Sequence, residues 1–127
     1  MLNLGSDVKI YLFCNIVDMR KGINGLSILA SELVFNKSTS SSSTISTGSM
    51  FVFRGKRSDR IKILWWDGQG FCLFYKCLDK GKFTWPKLGS KASNNSNIRV
   101  TKAQLSMLIE GIDWRNPTWS NPPKYAA

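Results

Sequence analysis

RGKRSDRIKILWWDGQGFCLFYKCLDKGKFTWP, residues 54–86, holds three of the five tryptophans of this 127-residue chain and half of its excess positive charge. Ile61–Trp66 and Phe71–Leu78 are rich in β-branched and aromatic residues. Asp67-Gly68-Gln69-Gly70 between them supplies the positive φ angles of a tight turn, so the two runs are expected as a β-hairpin. A second turn, Asp79-Lys80-Gly81-Lys82, leads to Phe83-Thr84-Trp85 as a third strand of a meander, and Pro86 removes a backbone donor and stops the ladder. Alternation puts Ile61, Ile63 and Trp65 on one face and Lys62, Leu64 and Trp66 on the other. Phe71, Leu73, Tyr75 and Cys77 likewise oppose Cys72, Phe74, Lys76 and Leu78. Both faces carry apolar side chains, as expected of central strands with helices on one face and partial cover on the other. Trp65, Trp66, Phe74 and Trp85 read first as core and cross-strand packing, with a base-stacking platform as the alternative.

Upstream, Val8–Cys14 alternates Ile10, Leu12 and Cys14 with Lys9, Tyr11 and Phe13 and reads as a strand. Asp18 is expected to cap a helix whose apolar positions Ile23, Leu26, Ala30, Leu33 and Val34 recur at three and four residues. Gly22 and Gly25 weaken its first turns by about 1 kcal/mol each, which calls for a compensating close approach. That approach is to a neighbouring strand, or to a phosphate at the helix N-terminus beside Arg20 and Lys21. Ser38–Ser49 holds ten Ser or Thr in twelve positions and reads as a flexible loop. Met50–Phe53 is a short strand leading into Arg54-Gly55-Lys56-Arg57-Ser58-Asp59-Arg60, a basic turn. Arginine forks on a turn can engage phosphate oxygens in pairs, and a charged hairpin loop is the plainer reading.

Downstream, Gly89–Asn97 is a polar connection. Thr101 with Gln104 forms a capping box for a short helix with Leu105, Leu108, Ile109 and Ile112 on one face and Gly111 as its stop. That face is expected to close the core; docking on another protein would require Met107 to be exposed. The tail from residue 115 is rich in proline and tryptophan and favours an extended path. The whole reads as one α+β domain over 1–127, a mostly antiparallel sheet of about four or five strands with two helices in β-α-β-β-β-β-α order. It is interrupted by a Ser/Thr-rich loop at 37–49, a polar loop at 89–97 and the tail at 115–127.

Eighteen basic against eight acidic residues give a net charge of +10, and residues 54–91 contribute ten of the basic and three of the acidic ones. Charge gathered in this way attracts polyanions, DNA foremost, although it also serves solubility. Three cysteines with no C-x-x-C pair and no histidine suggest neither a zinc site nor a disulfide framework. Ile10–Val17 is too short to span a bilayer and makes a poor signal peptide.

The run DRIKILWWDGQGFCLFYKCLDKGKFTWP, preceded by FVFRGKR, resembles the hallmark segment of the small accessory proteins encoded by the second reading frame of insertion-sequence-66 type bacterial transposons. DMRKGINGL at 18–26 and AQLSMLIEGIDW at 103–114 match in the expected order, so the resemblance covers more than half the chain. Asn24 departs from the residue that relatives often carry. The resemblance implies a bacterial protein that assists transposition beside a separate transposase, which performs the chemistry, in the cytoplasm close to the nucleoid.

A metal-dependent nuclease would need carboxylates that hold two cations about 4 Å apart. Asp18, Asp59, Asp67, Asp79, Glu110 and Asp113 each have a simpler role in a cap, a turn or a helix end. No catalytic residue, metal or cofactor is therefore expected. The expected function is a non-catalytic accessory factor that binds DNA through Arg20, Lys21, Arg54, Lys56, Arg57, Arg60, Lys62, Lys76, Lys80 and Lys82, with the transposase as partner. The alternative is a protein-interaction module that contacts the transposase through Trp66, Phe74 and Trp119. No membrane partner is expected, and the oligomeric state is open.

Overall fold

The computed structural model describes residues 8–37, 48–86 and 97–114. The elements are β1 (Lys9–Ile16), α1 (Ile23–Lys37), β2 (Ser49–Arg54), β3 (Arg60–Trp66), β4 (Phe71–Cys77), β5 (Asn97–Val100) and α2 (Lys102–Ile109). They form a five-stranded sheet in the order β4-β3-β2-β1-β5. β1 and β2 are parallel, which requires a crossover, and α1 supplies it; the other neighbouring pairs are antiparallel. This is the α+β architecture and element order expected. The Ser/Thr-rich, polar and tail segments lie for the most part outside the described residues, though α1 runs to Lys37 and β2 begins at Ser49.

Strand alternation feeds two cores, one on each face. Ile10, Leu12, Met50, Val52, Ile61 and Ile63 meet Leu105, Leu108 and Ile109 of α2. Phe13, Phe51, Phe53 and Leu64 meet Leu26 and Ala30 of α1 on the opposite face. Burying each large side chain contributes about 1.5–3 kcal/mol, and several, including Leu12, Phe53, Ile61 and Leu64, are 0% exposed. A helix therefore covers each face, where the sequence suggested helices on one. Met107 is half buried against the α2-side core.

Four local expectations are corrected. Phe83-Thr84-Trp85 is not a strand. The Phe83 amide donates to the Ser58 carbonyl at 2.7 Å and the Trp85 indole to the Phe13 carbonyl at 3.0 Å, so the segment is a strap whose two aromatic rings are buried. The fifth strand is Asn97–Val100, antiparallel to β1; its first residue fell in the stretch read as a polar loop. β3 is interior, but β4 is an edge strand. Asp18 does not cap α1, because the first helical bond runs from the Leu26 amide to the Gly22 carbonyl at 3.0 Å.

The α2 capping box forms as expected: the Gln104 amide donates to Thr101 Oγ1 at 3.1 Å and the Thr101 amide to Gln104 Oε1 at 2.8 Å. Gly111, at φ 78°, reverses the chain after α2 and leaves Ile112 47% exposed rather than on the apolar face.

Candidate nucleic-acid interface

The parallel β1–β2 pair brings the C-terminal ends of both strands to the same end of the sheet. β3 begins there and β4 finishes there. Three cation-bearing connections are gathered as a result: residues 17–22 after β1, 55–59 between β2 and β3, and 78–82 after β4. The Asp67–Gly70 turn lies at the opposite end.

The central connection is held from several sides. The Gly55 amide donates to the Arg60 carbonyl at 3.1 Å and the Ser58 amide to the Gly55 carbonyl at 3.1 Å. Asp59 and Ser58 carbonyls accept from the amides of Leu78 and Phe83, each at 2.7 Å, tying the turn to the connection after β4. Ser58 adopts φ 61°, a left-handed conformation that costs about 1–2 kcal/mol outside glycine. Arg54 Nη1 donates to its hydroxyl at 3.2 Å and helps to hold it there. Gly55 admits no side chain: a Cβ would lie 2.6 Å from Met19 Cγ, so this glycine is what lets the first and second connections touch.

The expected cations divide into two groups. Three serve the fold. Arg54 donates Nη2 to the Cys14 carbonyl at 3.1 Å and lies 5.4 Å from the Trp85 ring centroid, and burial lowers its pKa. Lys62, 8% exposed, donates to the Met19 and Lys21 carbonyls at 2.9 and 2.8 Å and fixes the connection leading to α1. Lys76 donates to the Ile109 carbonyl at 2.7 Å and closes the C-terminal end of α2. The signal that could have exposed Lys62 is its place between Ile61 and Ile63, where alternation turns it towards a covered face.

The second group, Arg20, Lys21, Lys56, Arg57, Arg60, Lys80 and Lys82, is exposed at the shared end of the sheet. Lys56, Arg57 and Asp59 line two open grooves and so form the wall between them. One, of about 660 Å3, continues along residues 16–20 and Arg60. The other, of about 610 Å3, is completed by Gly81 and Lys82. Arg20 is oriented by Asp18, whose carboxylate accepts from the guanidinium at 2.8 and 3.1 Å and from the Arg20 amide at 2.9 Å. These bonds, the side-chain ones first, hold the Asp18 pKa down to about 2. The sequence does not show this fork, because Asp18 also reads as a helix cap. Gly25, where a close approach was expected, meets the Lys21 side chain: an added Cβ would lie 3.3 Å from it.

Among the described residues, the aromatic rings near this end are turned inwards: Phe53, Phe83, Trp85 and Trp114 are 0, 3, 6 and 6% exposed. Tyr75 is the exception at 49%, with the Lys62 ammonium 5.0 Å from its ring centroid. Of the expected partner contacts, Trp66 is half buried edge-on to Phe71 at 5.0 Å between centroids. Phe74 packs against the α2-side core, and Trp119 lies outside the described residues. Among the carboxylates, Asp18 and Asp59 share the larger groove. Asp67 accepts from the Gln69 and Gly70 amides at 2.8 and 2.9 Å in the distant turn, which lowers its pKa. No group of three or more residues able to hold a metal occurs among the described residues. Nor, among them, is any helix long and apolar enough to cross a membrane.

Fold and site together define a small basic α+β protein in which seven of the exposed cations among the described residues stand on or beside three linked connections at one end of the sheet. The chain belongs to the family of IS66 Orf2-like proteins, whose model matches residues 8–119. That membership gives it an accessory, transposition-associated role. It is 38% identical over 121 residues to y4hO of Sinorhizobium fredii, an uncharacterized protein, covering 94% of this chain and 95% of that one. It is 32% identical over 115 residues to a second uncharacterized protein of that organism, y4jC, covering 90% of this chain and 87% of the relative. No solved structure matches the chain.

Proposed function

We propose that the protein is a non-catalytic accessory factor that binds duplex DNA through the cationic end of its sheet and assists the transposase on the ends of the element. The observation that carries this reading is the rigid 55–59 turn, which stands between two grooves and presents Lys56 and Arg57, with Arg20, Lys21, Arg60, Lys80 and Lys82 around them. Such cations replace condensed counterions on a phosphate backbone and bind largely without regard to sequence. Duplex is favoured over single strand because binding of unpaired bases relies on exposed aromatic faces, and among the described residues the rings near this end are mostly buried. Arg54, Lys62 and Lys76 contribute by shaping the surface, since each donates to groups within the fold.

The test is binding of the purified protein to duplex and single-stranded DNA across a salt series, with element-end and unrelated sequences compared. The reading expects duplex binding whose log affinity falls steeply with log salt. Absence of binding at low salt would instead favour a module that contacts the transposase alone.

A further inference from the structure

The two borders of the sheet differ. β5 is four residues long and carries Arg99, whose guanidinium carbon lies 5.2 Å from the Tyr11 ring centroid. Shortness and charge are common means of keeping an edge strand from pairing with another chain. β4 has neither protection. It runs for seven residues, FCLFYKC, without proline or glycine, and pairs with β3 in unbroken register from Phe71 to Cys77. Its one charge, Lys76, is held inside the molecule by the Ile109 carbonyl. Among the described residues no strand lies beyond it, and Tyr75 is 49% exposed there.

We infer that this border joins a second copy of the same chain by antiparallel β4–β4 pairing about a two-fold axis at Phe74. In that register Leu73 faces the partner's Tyr75, Phe71 faces the partner's Cys77 and Phe74 faces its own counterpart. The lysine falls opposite a cysteine, so no like charges are opposed across the ladder. Net charge selects the direction of pairing. Each chain carries +10, and seven of the exposed cations among the described residues stand at one end of the sheet, so antiparallel pairing points the two cationic ends away from each other. Parallel pairing would set them side by side. The result is one continuous sheet with five strands from each copy. Resting on the function proposed above, the dimer would hold two duplexes at opposite ends.

Sedimentation equilibrium of the full chain, without DNA and over roughly 5–200 μM, tests the pairing. The expected result is a two-chain species. Tyr75→Glu, which places a charge in the interface twice, should raise its dissociation constant by at least about tenfold, while Tyr75→Val should not. Far-UV circular dichroism checks that both variants fold. Independently of any variant, alternate β4 amides of the wild type should gain hydrogen-exchange protection as concentration rises. A single-chain mass across the range, or a dimer unmoved by Tyr75→Glu with β4 protection independent of concentration, overturns the inference. Because no DNA is present, that failure is separate from failure of the DNA-binding reading.

Discussion

Replacing Lys56 and Arg57 with alanine removes two exposed cations from the wall between the grooves without touching a buried contact. If each neutralises one phosphate, the slope of log affinity against log salt becomes shallower by about 0.9 per contact, or about 1.8 for the pair. The same relation gives the loss at a fixed salt concentration: about 30-fold at about 0.15 M and about 200-fold at about 0.05 M. Growth of the defect as salt is lowered distinguishes lost phosphate contacts from partial unfolding. Lys76→Met, which also removes one charge, provides the comparison, because its ammonium closes α2 through the Ile109 carbonyl. It should leave the slope unchanged and lower stability by about 1–2 kcal/mol. Fluorescence anisotropy on a labelled unrelated duplex, paired with urea denaturation, reads both quantities. An unchanged slope in the Lys56/Arg57 variant, or a shallower one in Lys76→Met, would refute this division of the cations.

Lys62→Met should cost about 2–3 kcal/mol by thermal or urea unfolding, since the Met19 and Lys21 carbonyls lose charge-assisted donors at 2.9 and 2.8 Å. Gly55→Ala should cost about 1–3 kcal/mol through the collision with Met19, and Met19→Ala in the same chain should recover part of it, measurable as a double-mutant cycle. The Asp18 carboxyl, followed by NMR, should titrate at about 2 and return towards the ordinary carboxylate range in Arg20→Gln. Its folded pKa is below its unfolded one, so the stabilisation is complete above about pH 4 and is lost as pH falls through about 2. Thr101→Ala should cost about 1 kcal/mol by removing the capping box of α2.

Much of the fold was legible because its signals are local. The Asp67–Gly70 turn, the alternation of β1 and β3, and the Thr101–Gln104 box each depend on neighbouring residues and formed as read. What failed to show depends on residues distant in the chain. Phe83-Thr84-Trp85 has a strand's composition, but its donors find Ser58 and Phe13, so it becomes a strap. Asn97–Val100 looks like the end of a polar loop until β1 offers it a ladder. The cationic region was legible as a cluster in sequence, whereas the use of each charge was not. Lys62 and Lys76 differ from Lys56 and Lys82 only in which side of a strand or loop they leave and what they find there. Asp18 is a residue type that caps helices, but α1 begins only at Ile23, and the Asp18 carboxylate is taken by the nearby Arg20 guanidinium instead.

The most direct test of the account is a map of backbone amide shifts on titrating the protein with a short unrelated duplex. Binding through the cationic end predicts the largest changes at residues 17–22, 55–60 and 79–82, and little change in the Asp67–Gly70 turn at the far end of the sheet. Changes centred on that distant turn, or none at a salt concentration low enough for phosphate contacts to dominate, would contradict it.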